Sequence, residues 1–271
     1  MKLTSKVVLV TGASAGIGEA VAREASQQGA SVVLCARREE RVQKIAADLT
    51  RQGGSALGLR CDVTVDEDVT RVVHEARDRF GGLDVLVANA GFGVQGRLDE
   101  LELADYRRQF ETNVFGVIRS IQVALPELKL RRGAIGVVGS ANGYLSLPGW
   151  SAYCMSKHAV RSLCACVRHE LGREGVSITH LAPGFVESEF RKVGRDGTLH
   201  DGARERVPGW LVMPKARAAR EILRAIAERR EEAVITRHAR LVVGLERHLP
   251  RLVSLALGVS GGLVKALSKS P

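Results

Sequence analysis

Val7-Val8-Leu9-Val10-Thr11-Gly12-Ala13-Ser14-Ala15-Gly16-Ile17-Gly18 is the stretch from which the fold can be read. Val7 to Val10 is a short run of β-branched residues and leucine, suited to a strand covered on both faces. A glycine-rich turn follows at once, and behind it a helical pattern runs to about Gln28. In the order strand, glycine turn, helix, the glycines have a specific use. They let the backbone approach a pyrophosphate while the helix N-terminus presents amide donors and the positive end of its dipole. The spacing is Gly-x-x-x-Gly-x-Gly rather than Gly-x-Gly-x-x-Gly, and the alternative is a plain turn. The strand before it and the helix after it favour a nucleotide site, with Gly12, Ser14, Ala15, Gly16, Ile17 and Gly18 as its contacts.

The next element sharpens this. A second strand, Ser31 to Ala36, ends in Arg37-Arg38. In a dinucleotide site the end of this strand faces the adenosine ribose, where an acid would accept from the 2′-OH and repel a 2′-phosphate. Here Ala36 stands in that place, followed by two guanidiniums suited to bidentate phosphate binding. The expectation is therefore NADP(H) in preference to NAD(H). The competing account is a solvated helix start, since Arg38-Glu39-Glu40-Arg41 opens a helix to about Gln52.

The alternation continues along the chain. Ala56 to Arg60 reads as a third strand, closed by Cys61-Asp62-Val63, where Asp62 either accepts from the adenine amino group or caps the helix from Asp66 to Phe80. Leu83 to Ala88 is a fourth buried strand, and Asn89, Ala90 and Gly91 after it permit close cofactor approach. A long helix carries Tyr106, Phe110, Val114, Val117, Ile118, Ile121 and Leu125 as an apolar stripe, with the amide of Asn113 inside it. Ala134 to Gly139 is the fifth strand. Val176 to Leu181 is the sixth and runs into Ala182-Pro183-Gly184-Phe185-Val186-Glu187-Ser188. A helix from about Pro214 to Arg230 and a strand from Ala233 to Thr236 complete the series. The pattern predicts an α/β protein with a Rossmann-type doubly wound parallel sheet of about seven strands, helices on both faces, and one domain over residues 1–236. A C-terminal helical extension over 237–271 follows it.

Ser140 lies just beyond the fifth strand, and Tyr153 and Lys157 follow it four residues apart. On a helix these two project from one face, one turn apart, which is also what an ordinary amphipathic face would show. A free tyrosine has a pKa near 10 and is a poor acid or base at neutral pH, but a nearby ammonium stabilises the phenolate. Ser140 is placed to donate to the oxygen that Tyr153 protonates. The constellation suits proton transfer at a carbonyl or alcohol.

Taken together, these motifs resemble the short-chain dehydrogenase/reductase family over about residues 4 to 236. The family's glycine motif is met by Thr11 to Gly18, its adenine-side aspartate by Asp62, and its Asn-Asn-Ala-Gly motif by Ala88-Asn89-Ala90-Gly91, with Ala88 in place of the first Asn. Its catalytic Asn, Ser, Tyr and Lys fall on Asn113, Ser140, Tyr153 and Lys157. Its Pro-Gly-x-Val-x-Thr motif falls on Pro183, Gly184, Val186 and Ser188, serine keeping the hydroxyl that would meet the nicotinamide carboxamide. The resemblance implies that Tyr153 is the general acid in reduction and the base in oxidation. It further implies that Lys157 lowers the Tyr153 pKa and bonds the nicotinamide ribose, that Ser140 orients the substrate, and that Asn113 holds a water in a proton relay.

Residues 186–212 form a long connection expected to lie over the nicotinamide, with Phe190, Val193, Leu199, Trp210 and Leu211. With Phe92, Leu147 and Trp150 they favour a small hydrophobic carbonyl or alcohol substrate, for which Phe92, Trp150 and Phe190 are the candidate contacts. Arg191, Lys192, Arg204 and Arg206 would meet an anionic group or simply face solvent.

Composition sets the outer bounds. With 271 residues, 45% hydrophobic and 26% charged, the chain can bury one sizeable core. Its formal charge of +10 is spread along the chain without interleaved aromatics, which argues against nucleic acid. Five cysteines form no disulfide framework or metal-ligand spacing, so free thiols in a cytoplasmic protein are expected, with no metal. No secretory signal is visible. The extension, with Leu241, Leu245, Leu249, Leu252, Leu255, Leu263 and Leu267 among Arg237, Arg240, Arg247, Arg251, Lys265 and Lys269, suits packing on a neighbouring subunit or the cleft, in a homodimer or homotetramer. Peripheral contact with an anionic membrane surface is the alternative. Two other functional classes compete with an enzyme: a catalytically silent NADP-binding regulator, and a membrane-surface protein organised by the tail. The full set Ser140, Tyr153 and Lys157 weighs against both.

Overall fold

The computed structural model describes residues 1–190, 194, 198 and 207–259. Val193, Leu199, Arg191, Lys192, Arg204 and Arg206 of the long connection, and residues 260–271 of the extension, lie outside them.

Seven strands make one sheet: β1 (Val7–Thr11), β2 (Ser31–Ala36), β3 (Ser55–Arg60), β4 (Val85–Ala88), β5 (Ala134–Val138), β6 (Ser177–Ala182) and β7 (Glu232–Val234). Their order is β3-β2-β1-β4-β5-β6-β7, and every pairing is parallel. The helices between them are α1 (Gly16–Gln27), α2 (Glu39–Arg51), α3 (Asp66–Phe80), α4 (Leu103–Phe110), α5 (Gly116–Arg131), α6 (Ser151–Arg173) and α7 (Lys215–Ala227). Two more, α8 (Arg237–His248) and α9 (Pro250–Val259), form the described part of the extension.

Because strand side chains alternate, successive residues of β1 feed opposite layers. Val8 and Val10 join Val21 of α1, Val42 of α2 and Ile222 of α7 in one core. Val7 and Leu9 join Val72 of α3, Ile121 of α5 and Val160 of α6 in the other. Burial of each large aliphatic side chain in these layers stabilises by about 1.5 to 3 kcal/mol. This two-sided coverage is why the central strands read as uninterrupted apolar runs rather than alternating ones.

The long helix predicted around Asn113 is interrupted. Between α4 and α5 the backbone widens to a π-helical segment, Glu111–Phe115. Such widenings frequently lie at functional sites, because they re-aim a side chain without ending the helix. The chain direction of crossovers reverses between β1 and β4, which opens a crevice at the carboxyl ends of these strands.

The extension packs on the domain. Ala239 and Val243 of α8 are buried together with Ala141, Tyr144 and Ala182. Among the described residues no helix is long and apolar enough to cross a membrane.

Candidate active site

The turn after β1 is shaped by two glycines in the left-handed region, Gly12 at φ 65° and Gly16 at φ 58°. A Cβ on Gly12 would stand 2.7 Å from the Ala90 Cα, and one on Gly16 would stand 2.9 Å from the Ser188 Cβ. Side chains there would fill the cradle as well as strain the backbone. No side chain caps α1, so its first amides face the crevice uncapped. Asn89 fixes the turn from β4: its Nδ2 donates to the carbonyls of Thr11 and Gly12 at 3.0 and 3.1 Å, while the Thr11 hydroxyl accepts from the Asn89 and Ala90 amides. Ala88, the departure from the family motif, is the last residue of β4 and is buried in the sheet.

Arg38 reaches back to this turn, donating to the Ser14 hydroxyl from Nε at 3.1 Å and from Nη2 at 2.9 Å. Arg37 is exposed. Asp62 does not cap α3, whose N-cap is Val65. Its Oδ1 instead accepts from the Thr64 amide and hydroxyl at 3.0 and 2.8 Å, with Val63 buried between them. The donor set of the crevice therefore fits the pyrophosphate of a dinucleotide: a small-residue cradle and open helix amides, with a guanidinium beside a hydroxyl at its rim.

The chemical centre lies at the end of β5. Ser140 accepts from the Asn142 amide at 3.1 Å, which fixes its hydroxyl at the start of a 3₁₀ turn. Tyr153 and Lys157, on the first turns of α6, are 7% and 5% exposed. The Lys157 Nζ donates to the Val138 carbonyl at 2.9 Å and lies 5.7 Å from the centroid of the Tyr153 ring. A Cβ on Gly91 would be 3.0 Å from the Asn113 Oδ1 and 3.8 Å from the Lys157 Nζ, so Gly91 seats directly on this pair. The Pro183 to Ser188 segment closes the ring of residues. The Pro183 carbonyl accepts from the Ala141 amide at 2.9 Å, Val186 bridges to Met213, and Ser188 stands against Gly16.

Four expectations can be set against this geometry. Burial pushes the Tyr153 pKa up to about 12, with the Ser140 hydrogen bond pulling the other way. Burial also pushes Lys157 down to about 8, and its proton is engaged by the Val138 carbonyl. Asn113, fully buried, is used by the protein itself: its Oδ1 accepts from the Phe92 amide at 3.1 Å, and its Nδ2 donates to the Phe92 carbonyl and the Ser156 hydroxyl at 3.0 and 3.2 Å. That clasp turns the Phe92 side chain into a cluster with Val94 and Ala152, and Phe92 is buried there. Trp210, expected over the nicotinamide, is 84% exposed. Trp150 and Phe190 do meet the centre, with ring centroids 5.7 and 5.4 Å from Tyr153.

Several contributors were missed from the sequence. Gln109 lies one turn before Asn113 and shares its task, accepting from the Val94 amide at 2.6 Å and donating to the Phe92 carbonyl at 2.7 Å. Its position four residues from Asn113 in the same apolar stripe was the available signal. His238 of α8 accepts from the Phe185 amide at 3.0 Å and stacks on the Phe185 ring, so the extension steadies the Pro183 segment. Glu189 pairs with Arg38 and Arg41, a contact between distant parts of the chain that no local pattern announces. A concavity of about 210 Å³ beside Arg168, Gly172 and Ser177 lies at the opposite edge of the sheet and holds none of these residues. Among the described residues no group of three His, Cys, Asp or Glu side chains could hold a metal ion.

The family model for short chain dehydrogenases matches residues 6–198. The 11-beta-hydroxysteroid dehydrogenase A of Sesamum indicum is 39% identical over 191 residues, 69% of this chain and 54% of the relative. The chain thus spans about half the length of that curated relative. Dehydrogenase/reductase SDR family member 7B of Danio rerio is 33% identical over 86% of this chain and 78% of its own. Among solved structures, a short chain dehydrogenase/reductase from Burkholderia phymatum in complex with NAD superposes with a TM-score of 0.83 at 26% identity, covering 93% of this chain and 96% of that one. The alcohol dehydrogenase of the archaeon Thermococcus sibiricus, complexed with 5-hydroxy-NADP, gives 0.74 at 31% identity over 85% of this chain and 96% of that one.

Proposed function

The chain belongs to the short chain dehydrogenase family, and on that premise we propose that it is an NADP(H)-dependent oxidoreductase interconverting a ketone or aldehyde and an alcohol on a hydrophobic substrate. The observation that carries this reading is the joint burial of Tyr153 and Lys157 beside Ser140, at the same sheet edge as the Gly12–Gly18 cradle. The cofactor would be held by Gly12, Ser14, Gly16, Gly18 and Arg38, by Asn89, Ala90 and Gly91, and by Pro183, Gly184, Val186 and Ser188. When bound, the nicotinamide supplies or accepts hydride at the substrate carbon.

The protein's own groups manage the proton. Burial pushes the Tyr153 pKa up to about 12, so its hydroxyl carries a proton at neutral pH. It can still donate to a substrate oxygen as alkoxide charge builds, because an alkoxide is more basic than the phenolate left behind. Ser140, whose hydroxyl is oriented by the Asn142 amide, donates to the same oxygen and places it. Lys157, with its pKa at about 8, is already an ammonium at neutral pH and stabilises the phenolate that forms when Tyr153 gives up its proton. Asn113 and Gln109 act by positioning, holding the Phe92–Val94 backbone beside Gly91.

The hydrophobic character of the substrate is supported by the Trp150 and Phe190 rings against Tyr153, and by the hydroxysteroid dehydrogenase activity named for the sesame relative. The cytoplasmic reading is supported by five free cysteines, of which only Cys166 is exposed. On the extension, Leu241, Leu245, Leu249, Leu252 and Leu255 are exposed, which supports a contact with a second copy in a homodimer or homotetramer, with a membrane surface as the alternative. Following NADPH and NADH consumption across acyl, steroid and aldehyde carbonyls tests the whole reading. Turnover of at least one class with NADPH is expected, and no oxidation of NADPH with any carbonyl would remove it.

A further inference from the structure

The two guanidiniums that open α2 hold a carboxylate of the protein itself. Glu189 Oε2 accepts from Arg38 Nη1 at 2.7 Å and from Arg41 Nη1 at 2.9 Å, while Oε1 accepts from Arg41 Nη1 at 2.8 Å. Arg38 also donates to the Ser14 hydroxyl from Nε and Nη2. Glu189 is 151 residues from Arg38 along the chain, and it comes directly after Ser188, which stands against Gly16 of the cradle. Partial burial would raise the Glu189 pKa, but the hydrogen bonds from Arg38 and Arg41 outweigh it and hold the carboxyl below its usual value. The anion is therefore present at neutral pH. Two guanidiniums and a hydroxyl converging on oxygens is the donor set of a phosphate monoester site, and here a carboxylate fills it.

We infer that Glu189 is an internal competitor at the Ser14–Arg38–Arg41 site, which a 2′-phosphate can enter only by displacing the carboxylate. The inference rests on reading this site as the place of the NADP(H) 2′-phosphate. A dianion and a carboxylate sharing one pair of guanidiniums would stand within a few ångström of each other and repel. Binding of one therefore expels the other. Apparent affinity for the phosphate-bearing cofactor is then reduced by the fraction of molecules in which Glu189 occupies the arginines. Cofactors lacking the 2′-phosphate do not meet this barrier, so Glu189 narrows the margin between NADP(H) and NAD(H). Phe190, the next residue, has its ring 5.4 Å from that of Tyr153, so the same carboxylate also anchors a segment that walls the reaction centre.

Calorimetric titration of the full chain with 2′,5′-ADP, and with 5′-AMP as the control lacking the 2′-phosphate, tests this without turnover. Glu189→Gln removes the charge and keeps the size; it should tighten 2′,5′-ADP about tenfold while leaving 5′-AMP within about twofold, and Glu189→Ala should act in the same direction. Arg38→Met should erase the preference for 2′,5′-ADP. If Arg38→Met weakens 2′,5′-ADP but neither Glu189 variant tightens it, the competitor role is wrong and the phosphate site stands. If wild type and Glu189→Gln both bind 2′,5′-ADP no better than 5′-AMP, the phosphate site itself is wrong, and the inference falls with it.

Discussion

Lys157 donates its buried ammonium to the carbonyl oxygen of Val138 at 2.9 Å, at the end of the strand that delivers Ser140. This one bond accounts for where the lysine points, but it does not offset the loss of water, and burial depresses the Lys157 pKa to about 8. A lysine whose folded pKa lies below its unfolded value weakens the fold while it is charged. The penalty is complete below about pH 8 and is relieved as pH rises towards the unfolded value of 10.5. Urea unfolding of wild type and Lys157→Met at pH 7 and pH 10.5 should show the wild type gaining about 3 kcal/mol relative to the variant over that range. A constant difference between the two proteins would mean that Lys157 is not desolvated as described.

His180 carries an opposite lesson at acid pH. It is fully buried in β6, its Nδ1 lies 3.3 Å from the Tyr144 hydroxyl, and its Nε2 has no protein partner. Burial is the leading cause that lowers its pKa to about 4; Glu232 pulls upward, while Lys157, Arg161 and Arg168 add to the depression. Stability tied to neutral His180 is present above the unfolded value of 6.5 and is lost as pH falls through 4. The wild type should lose about 3 kcal/mol relative to His180→Gln between pH 7 and pH 4. Parallel pH profiles of the two would contradict this.

Gln109 offers a test of the clasp around Phe92. Gln109→Leu leaves the Val94 amide without its acceptor in a dry interior and should cost about 2 to 3 kcal/mol, read as a lowered urea midpoint at unchanged slope. Since the clasp seats Gly91 beside Asn113 and Lys157, turnover should fall more than stability alone explains under conditions where the variant stays folded. A variant as stable and active as wild type would show that the amide is incidental.

The sheet was legible because its central strands are buried on both faces. Val7 to Val10, Ser31 to Ala36 and Val176 to Leu181 contrast sharply with the amphipathic helices between them. The positions of the candidate residues were legible for the same reason: the Gly12–Gly18 turn, Asn89 to Gly91, and Ser140 sit where strands end. Contacts made across the sequence were not. The π-helical widening at Glu111–Phe115 has the same composition as plain helix. Whether Phe92 faces the pocket or the core depends on Gln109 and Asn113 clasping its backbone. Nor could residue spacing reveal that Lys157 donates to the Val138 carbonyl, or that Lys157 and Tyr153 are buried together. The pairing of Glu189 with Arg38 and Arg41 joins segments that only the finished fold brings together.

The central claim is that the Tyr153 hydroxyl supplies the proton. The most direct measurement compares Tyr153→Phe with wild type, following NADPH consumption with an accepted carbonyl substrate and NADPH binding in parallel. The ring still packs between Trp150 and Phe190, so the account predicts NADPH affinity within about twofold of wild type and a rate lower by about a thousandfold or more. A variant that binds NADPH and keeps a tenth of the wild-type rate would contradict it.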